Sequence, residues 1–136
     1  MIHWESLIAA LAMVESGGDP QAINPREQAY GLYQMRGAAL QDANEHFGTH
    51  YRLRDCWDVR IAEKMLLAYL ARWKCESSDE KAARVWNGGP RGHLKRSTLE
   101  YWGRVSALMR AGGCEPSEIG VSCGCAKQDK KLECAR

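Results

Sequence analysis

No apolar run in this 136-residue chain approaches the roughly 20 residues that cross a bilayer as a helix, which excludes a helical membrane span. Charge of one sign is also short. Lys and Arg number 19 against 17 Asp and Glu, and a net charge of +2 is too small to build the basic field that collects phosphates. A nucleic-acid partner is therefore not expected. The sequence contains no Gly-x-x-x-x-Gly-Lys loop, no Rossmann fingerprint and no Cys-x-x-Cys pair, so nucleotide and thioredoxin-like functions find no support and no cofactor is expected. No Glu-x-x-His pattern surrounds His46 and His50, whose i, i+4 spacing is interrupted by Gly48, and no metal site is expected. Neither Lys nor Arg precedes the short apolar stretch that follows Glu5, so it does not read as a signal peptide. No period of 20–50 residues recurs, which excludes repeat architectures.

What is present suits one helical domain acting as a monomer. With 45% hydrophobic and 26% charged residues, the chain is close to the globular average and far from the composition of disordered segments. From Trp4, the residues Leu7, Ile8, Leu11 and Glu15 follow helical spacing until Gly17 and Gly18 stop the element. Residues 17–35 are rich in turn formers and leave room for at most a short β-hairpin, the expected wall of a cleft. A helix over 36–47 and a longer one over 55–74 follow. The longer one carries a core stripe of Val59, Ala62, Leu66, Tyr69, Leu70 and Trp73. Ser77 with Glu80, and Ser97 with Glu100, match the capping box and mark two further helix starts. The first of these helices is expected to end near Trp86. The second is expected to bury Tyr101, Trp102, Val105, Leu108 and Met109 before Gly112 and Gly113. The expected fold is mainly α, with a domain over 1–113 and a cysteine-rich tail over 114–136.

Glu15 is the residue with chemical promise. It shares a helix face with Leu7 and Leu11, and burial there disfavours its charged form, as does the negative end of the helix dipole. A carboxylic acid kept protonated near neutral pH can donate to a leaving oxygen, which glycosidic cleavage requires. Tyr30, Tyr33, Trp86 and Trp102 read equally well as core residues or as platforms for pyranose rings.

Three blocks carry a resemblance. Glu15-Ser16, Asp19-Pro20-Gln21-Ala22-Ile23-Asn24-Pro25 and Tyr30-Gly31-Leu32-Tyr33-Gln34-Met35 resemble, in this order, the first signature of soluble lytic transglycosylases and goose-type lysozymes. Val85-Trp86-Asn87-Gly88-Gly89-Pro90 is similar to their second block, and Thr98, Tyr101 and Val105 to their third. The resemblance covers roughly residues 4–110 and implies a mainly helical, lysozyme-like fold that acts on the glycan strands of peptidoglycan, in the periplasm or outside the cell. Export would then involve a segment already removed, or delivery by phage or by secretion machinery. By the same resemblance Glu15 is the catalytic acid, and Gln34, Asn87 and Tyr101 line the cleft or assist. Asn24 stands where many relatives have serine and would hold an N-acetyl group; Tyr33 and Trp86 would bind sugar.

The chain departs from the pattern at several places. One extra residue separates Glu15 from the Gly31-Leu32-Tyr33-Gln34 block, and Trp86 takes a usual tyrosine position. Met35 and Arg36 follow Gln34 where goose-type lysozymes place an aspartate. Asp19 and Glu27 are the nearby substitutes for that second carboxylate. Asp19 precedes Pro20 and suits a turn, which leaves Glu27 the stronger candidate. The resemblance thus points first to a lytic transglycosylase that cleaves the β-1,4 bond between N-acetylmuramic acid and N-acetylglucosamine and leaves 1,6-anhydro ends. The alternatives are a hydrolytic muramidase using Glu27, a chitin-cleaving relative, and a catalytically silent glycan-binding or assembly module.

Four of the six cysteines, Cys114, Cys123, Cys125 and Cys134, lie in the tail. If Cys56 and Cys75 cap one helix, a rise of 1.5 Å per residue sets them roughly 28 Å apart, too far to bridge each other. Disulfides from these two to the tail, free thiols and a zinc site all remain open.

Overall fold

The computed structural model describes residues 1–112, which form five α-helices and one two-stranded hairpin. Helix α1, Trp4–Ser16, stops where Gly17 and Gly18 adopt positive φ of 66° and 86° and donate their N–H groups to the Met13 and Ala12 carbonyls. These bonds satisfy the orphan acceptors of the last turn. Strands β1, Ile23–Asn24, and β2, Ala29–Tyr30, pair antiparallel with Ile23 opposite Tyr30 and Asn24 opposite Ala29. Helices α2, Gly37–Phe47, and α3, Val59–Arg72, pack on each other, and α1 and α4, Asp79–Gly88, pack against α5, Leu99–Gly112.

The core runs through all five helices. Leu7 and Leu11 of α1, Met65, Leu66 and Leu70 of α3, Val85 of α4 and Val105 of α5 are fully buried in one cluster. Truncating any of these leucines or methionines to alanine removes about 2–5 kcal/mol, because the cavity collapses only in part.

Local polar chemistry moves several boundaries away from the sequence expectations. The segment 55–74 is two elements: a 3₁₀ turn at Leu53–Trp57, then α3. Asp58 separates them in an extended conformation, and its carboxylate caps α3 by accepting from the Arg60 and Ile61 amides at 2.8 and 3.3 Å. Cys56 and Cys75 therefore do not cap one continuous helix. Among the described residues neither forms a disulfide; both are fully buried, and burial pushes both thiols up to about 11. The tail cysteines and the boundary at 113 lie outside the described residues.

The cap of α4 is Ser78, which accepts from the Lys81 amide at 3.0 Å, rather than Ser77. Glu80 is drawn instead to Arg84 one turn on, at 2.6 Å. Helix α4 also runs two residues past Trp86, which places Asn87 on its last turn. A 3₁₀ turn at Arg96–Thr98 leads into α5, and the anchor there is the buried Thr98 rather than Ser97. Its hydroxyl lies 2.8 Å from the Gly92 carbonyl and accepts from Arg84 Nε at 2.8 Å. Val59 and Leu108, expected in the core, are 42% and 40% exposed at helix positions that face solvent.

The hairpin docks by backbone. Gly31 has φ of +85°, and a Cβ added there would overlap the Cys56 carbonyl oxygen of the 3₁₀ turn. Gly31→Ala combines a left-handed backbone with a clash against main chain, and is expected to destabilise the domain by about 2 kcal/mol or more. A lower urea midpoint with an unchanged transition slope checks this.

Candidate active site

Glu15 occupies the penultimate position of α1, and the next residue fixes where that end lies. The Ser16 hydroxyl sits 2.7 Å from the Leu32 carbonyl and accepts from the Asp19 amide at 3.1 Å, tying the helix end to the hairpin segment. Gln34 is thereby brought beside Glu15. Its backbone is left-handed at φ of 56°, and both its amide and its side-chain Nε2 donate to the Gly31 carbonyl at 3.0 Å. The isolated bridge between Tyr30 and Met35 closes this turn.

Across the site, Tyr101 of α5 donates its hydroxyl to Glu15 Oε2 at 2.7 Å. Burial raises the Tyr101 hydroxyl far above its ordinary range, and the Glu15 charge raises it further, so it remains a donor. Burial is also the largest influence on Glu15 and pushes its carboxyl upward. The Tyr101 bond, Arg36 and Arg104 oppose that rise, and Glu27 adds to it. The net shift is upward, toward a carboxylic acid that keeps its proton. Arg104 lies over the Tyr101 ring, 5.8 Å from its centroid.

Glu15, Gln34, Arg36, Ala39, Trp86 and Asn87 line a small chamber of about 30 Å³. Arg36, Trp86 and Asn87 continue into an outer cleft of about 420 Å³, walled by α2, the end of α4 and the Gly88-Gly89-Pro90 turn. Trp86 presents part of its ring to this cleft. Its Nε1 donates to the Tyr33 carbonyl at 3.2 Å, and its ring meets Tyr69 edge-on at 5.5 Å. A third hollow of about 480 Å³ lies on the far side of α2. Its only carboxylate, Glu45, is exposed and lies 3.6 Å from Arg72.

The structure thus gathers Glu15, Gln34, Trp86, Asn87 and Tyr101 from four separate segments. Tyr33 differs from the expectation of a ring facing sugar: it is 4% exposed and belongs to the core, where burial pushes its hydroxyl up to about 12. Its contribution at this place is its carbonyl. Asn24 does not line the chamber; its Oδ1 faces the Glu27 amide at 3.4 Å within the hairpin turn. Glu27 is half-exposed and accepts from Arg36 Nη2 at 2.7 Å, so it reaches the site through the arginine that lines it. No sequence motif marks Arg36 as a site residue; its signal is a cation immediately after the Gln34-Met35 block.

The five-helix arrangement with a small hairpin is a lysozyme-like fold, and it superposes on an inhibitor-bound lysozyme from Meretrix lusoria with a TM-score of 0.66 at 23% identity. That superposition covers 82% of this chain and 94% of the other. The chain belongs to the transglycosylase SLT domain family, whose family model matches residues 2–105. Among named relatives, it is 31% identical over 105 residues to a lysozyme of Magallana gigas, covering 72% of this chain and 74% of that protein. It is 28% identical over 109 residues to Lysozyme 1 of Crassostrea virginica, covering 76% of this chain but only 58% of that longer protein.

The raised Glu15 carboxyl has a consequence for stability. The folded protein holds this proton more tightly than the unfolded chain, whose value is near 4.5. The associated stabilisation is complete below that value and is lost as pH rises through the elevated folded value. Glu15→Gln, which cannot ionise, is expected to melt higher than wild type at neutral pH, with the gap closing as pH falls toward 4.5. Thermal melts of both proteins across that range measure it.

Proposed function

We propose that this protein is a muramidase that hydrolyses the β-1,4 bond between N-acetylmuramic acid and N-acetylglucosamine in peptidoglycan, outside the cytoplasm where that polymer lies. The observation that carries this reading is the partly buried Glu15 carboxyl, held by Tyr101 beside a chamber that opens into a cleft. Protonated Glu15 donates to the glycosidic oxygen, and the Tyr101 hydroxyl supports the carboxylate that remains. Gln34 and Asn87 offer amides to the sugar, and Trp86 offers an apolar ring edge.

The product depends on a second carboxylate. Glu27, paired with the Arg36 that lines the chamber, is the group available to activate water or to support the anomeric carbon. The lysozyme names of the relatives favour this hydrolytic course over the anhydro ends first expected from the sequence. The anhydro course keeps one specific support, the transglycosylase description of the matching family. In that course Glu15 alone suffices, first as acid and then as base for the muramyl 6-hydroxyl.

Purified Glu15→Gln should fold and lose about 10²–10⁴-fold of its activity on bacterial cell walls. Wild-type turnover by that variant would refute the assignment. Glu27→Gln should cost on the order of 10²-fold under hydrolysis. A loss of only a few-fold, with anhydro muropeptides in the mass spectrum, would return the reading to the single-acid course. Reducing muramyl ends are the expected product.

A further inference from the structure

Arg36 pairs with one carboxylate of this site and lines the same chamber as the other, and the chemistry proposed above gives it no role beyond that pair. It is the cap residue of α2, but its side chain makes no cap bond. Instead Nη2 donates to Glu27 Oε1 at 2.7 Å, while the residue lines the Glu15 chamber and the outer cleft. The two paired side chains are 51% and 49% exposed, and an ion pair this open is worth so little that the guanidinium can turn.

We propose that Arg36 is a positioning residue that shares one positive charge between two carboxylates, holding Glu27 before bond cleavage and turning toward Glu15 once that acid has given up its proton. This rests on the hydrolytic reading and adds to it an account of where the charge goes. Before cleavage Glu15 is neutral, Glu27 carries one negative charge, and Arg36 carries the matching positive one. Glu15 then gives its proton to the glycosidic oxygen, which leaves as a hydroxyl. Water bonds through its oxygen to the anomeric carbon and passes a proton to Glu27. Glu15 is now the anion and Glu27 is neutral. The negative charge has moved from the open side of the site to the buried side, and an unmatched anion there is costly. Arg36, already on the chamber wall, is the cation within reach of both. The other groups acting on Glu15 come from α5: Tyr101 donates to it, and Arg104 lies over the Tyr101 ring. Arg36 and Arg104 both favour the Glu15 anion, whereas Glu27 disfavours it.

The test follows the Glu15 carboxyl directly, by ¹³C NMR titration of glutamate-labelled protein, with Glu15→Gln identifying the resonance. Arg36→Gln is expected to raise the Glu15 midpoint by roughly half a pH unit. Arg36→Lys should restore most of the difference, and Glu27→Gln should lower the midpoint. On cell walls, Arg36→Gln should reduce kcat more than it raises KM. An unchanged Glu15 midpoint in Arg36→Gln, or an equal rise in Arg36→Lys, would overturn the proposal. Because the titration needs no turnover, a protein that failed to cleave cell walls would refute the muramidase reading and still report on the coupling.

Discussion

The hydrogen bond from the Tyr101 hydroxyl to Glu15 joins residues 86 positions apart and fixes the end of α1 against the start of α5. Everything else at the site is arranged around the difficulty that bond addresses. A carboxyl group has been taken out of water, and a buried acid without a partner is unfavourable in either protonation state. Tyr101 supplies the partner, and it can do so because its own burial keeps the phenolic proton in place. The packing of Leu7 and Leu11 holds α1 on the core, and the glycines after Ser16 end the helix just beyond the acid.

Two opposing influences set the acidity of Glu15. Dehydration favours the proton, while the Tyr101 bond and the two arginines favour its loss. Dehydration is the larger, and the balance leaves an acid that can hold its proton and still release it at modest cost. A fully apolar pocket would hold the proton too tightly, and an open surface would not hold it at all. The chamber provides the intermediate case: its walls include two amides, an arginine and an indole.

The sequence makes much of this legible, and where it fails the reasons are physical. Helical spacing places Glu15 on the buried face of α1, and paired glycines mark where that helix stops; both features are local. The turn-rich segment reads correctly as a short hairpin for the same reason, although Gln34 is the one residue of it that lines the chamber. Caps are harder to place: Ser77 has the better pattern, with Glu80 three residues on, yet it is Ser78 that accepts from the Lys81 amide. Asp58 breaks a segment that reads as one long stripe, since a cap can outweigh apolar periodicity. The Arg84, Thr98 and Gly92 cluster depends on two elements meeting, as does the burial of the Tyr33 ring. Arg36 stays hidden for a related reason. A lone arginine after a motif is ordinary until the fold sets it between two acids.

The indole bond from Trp86 to the Tyr33 carbonyl bears on how a polymer must enter. It sews the end of α4 to the hairpin segment directly beside the acid, so the two jaws share a fixed gauge. On the proposed function, a saccharide laid across that gap would meet a width set by one indole bond, and any flattening of the ring nearest the acid would have to be drawn from the sugar's own binding.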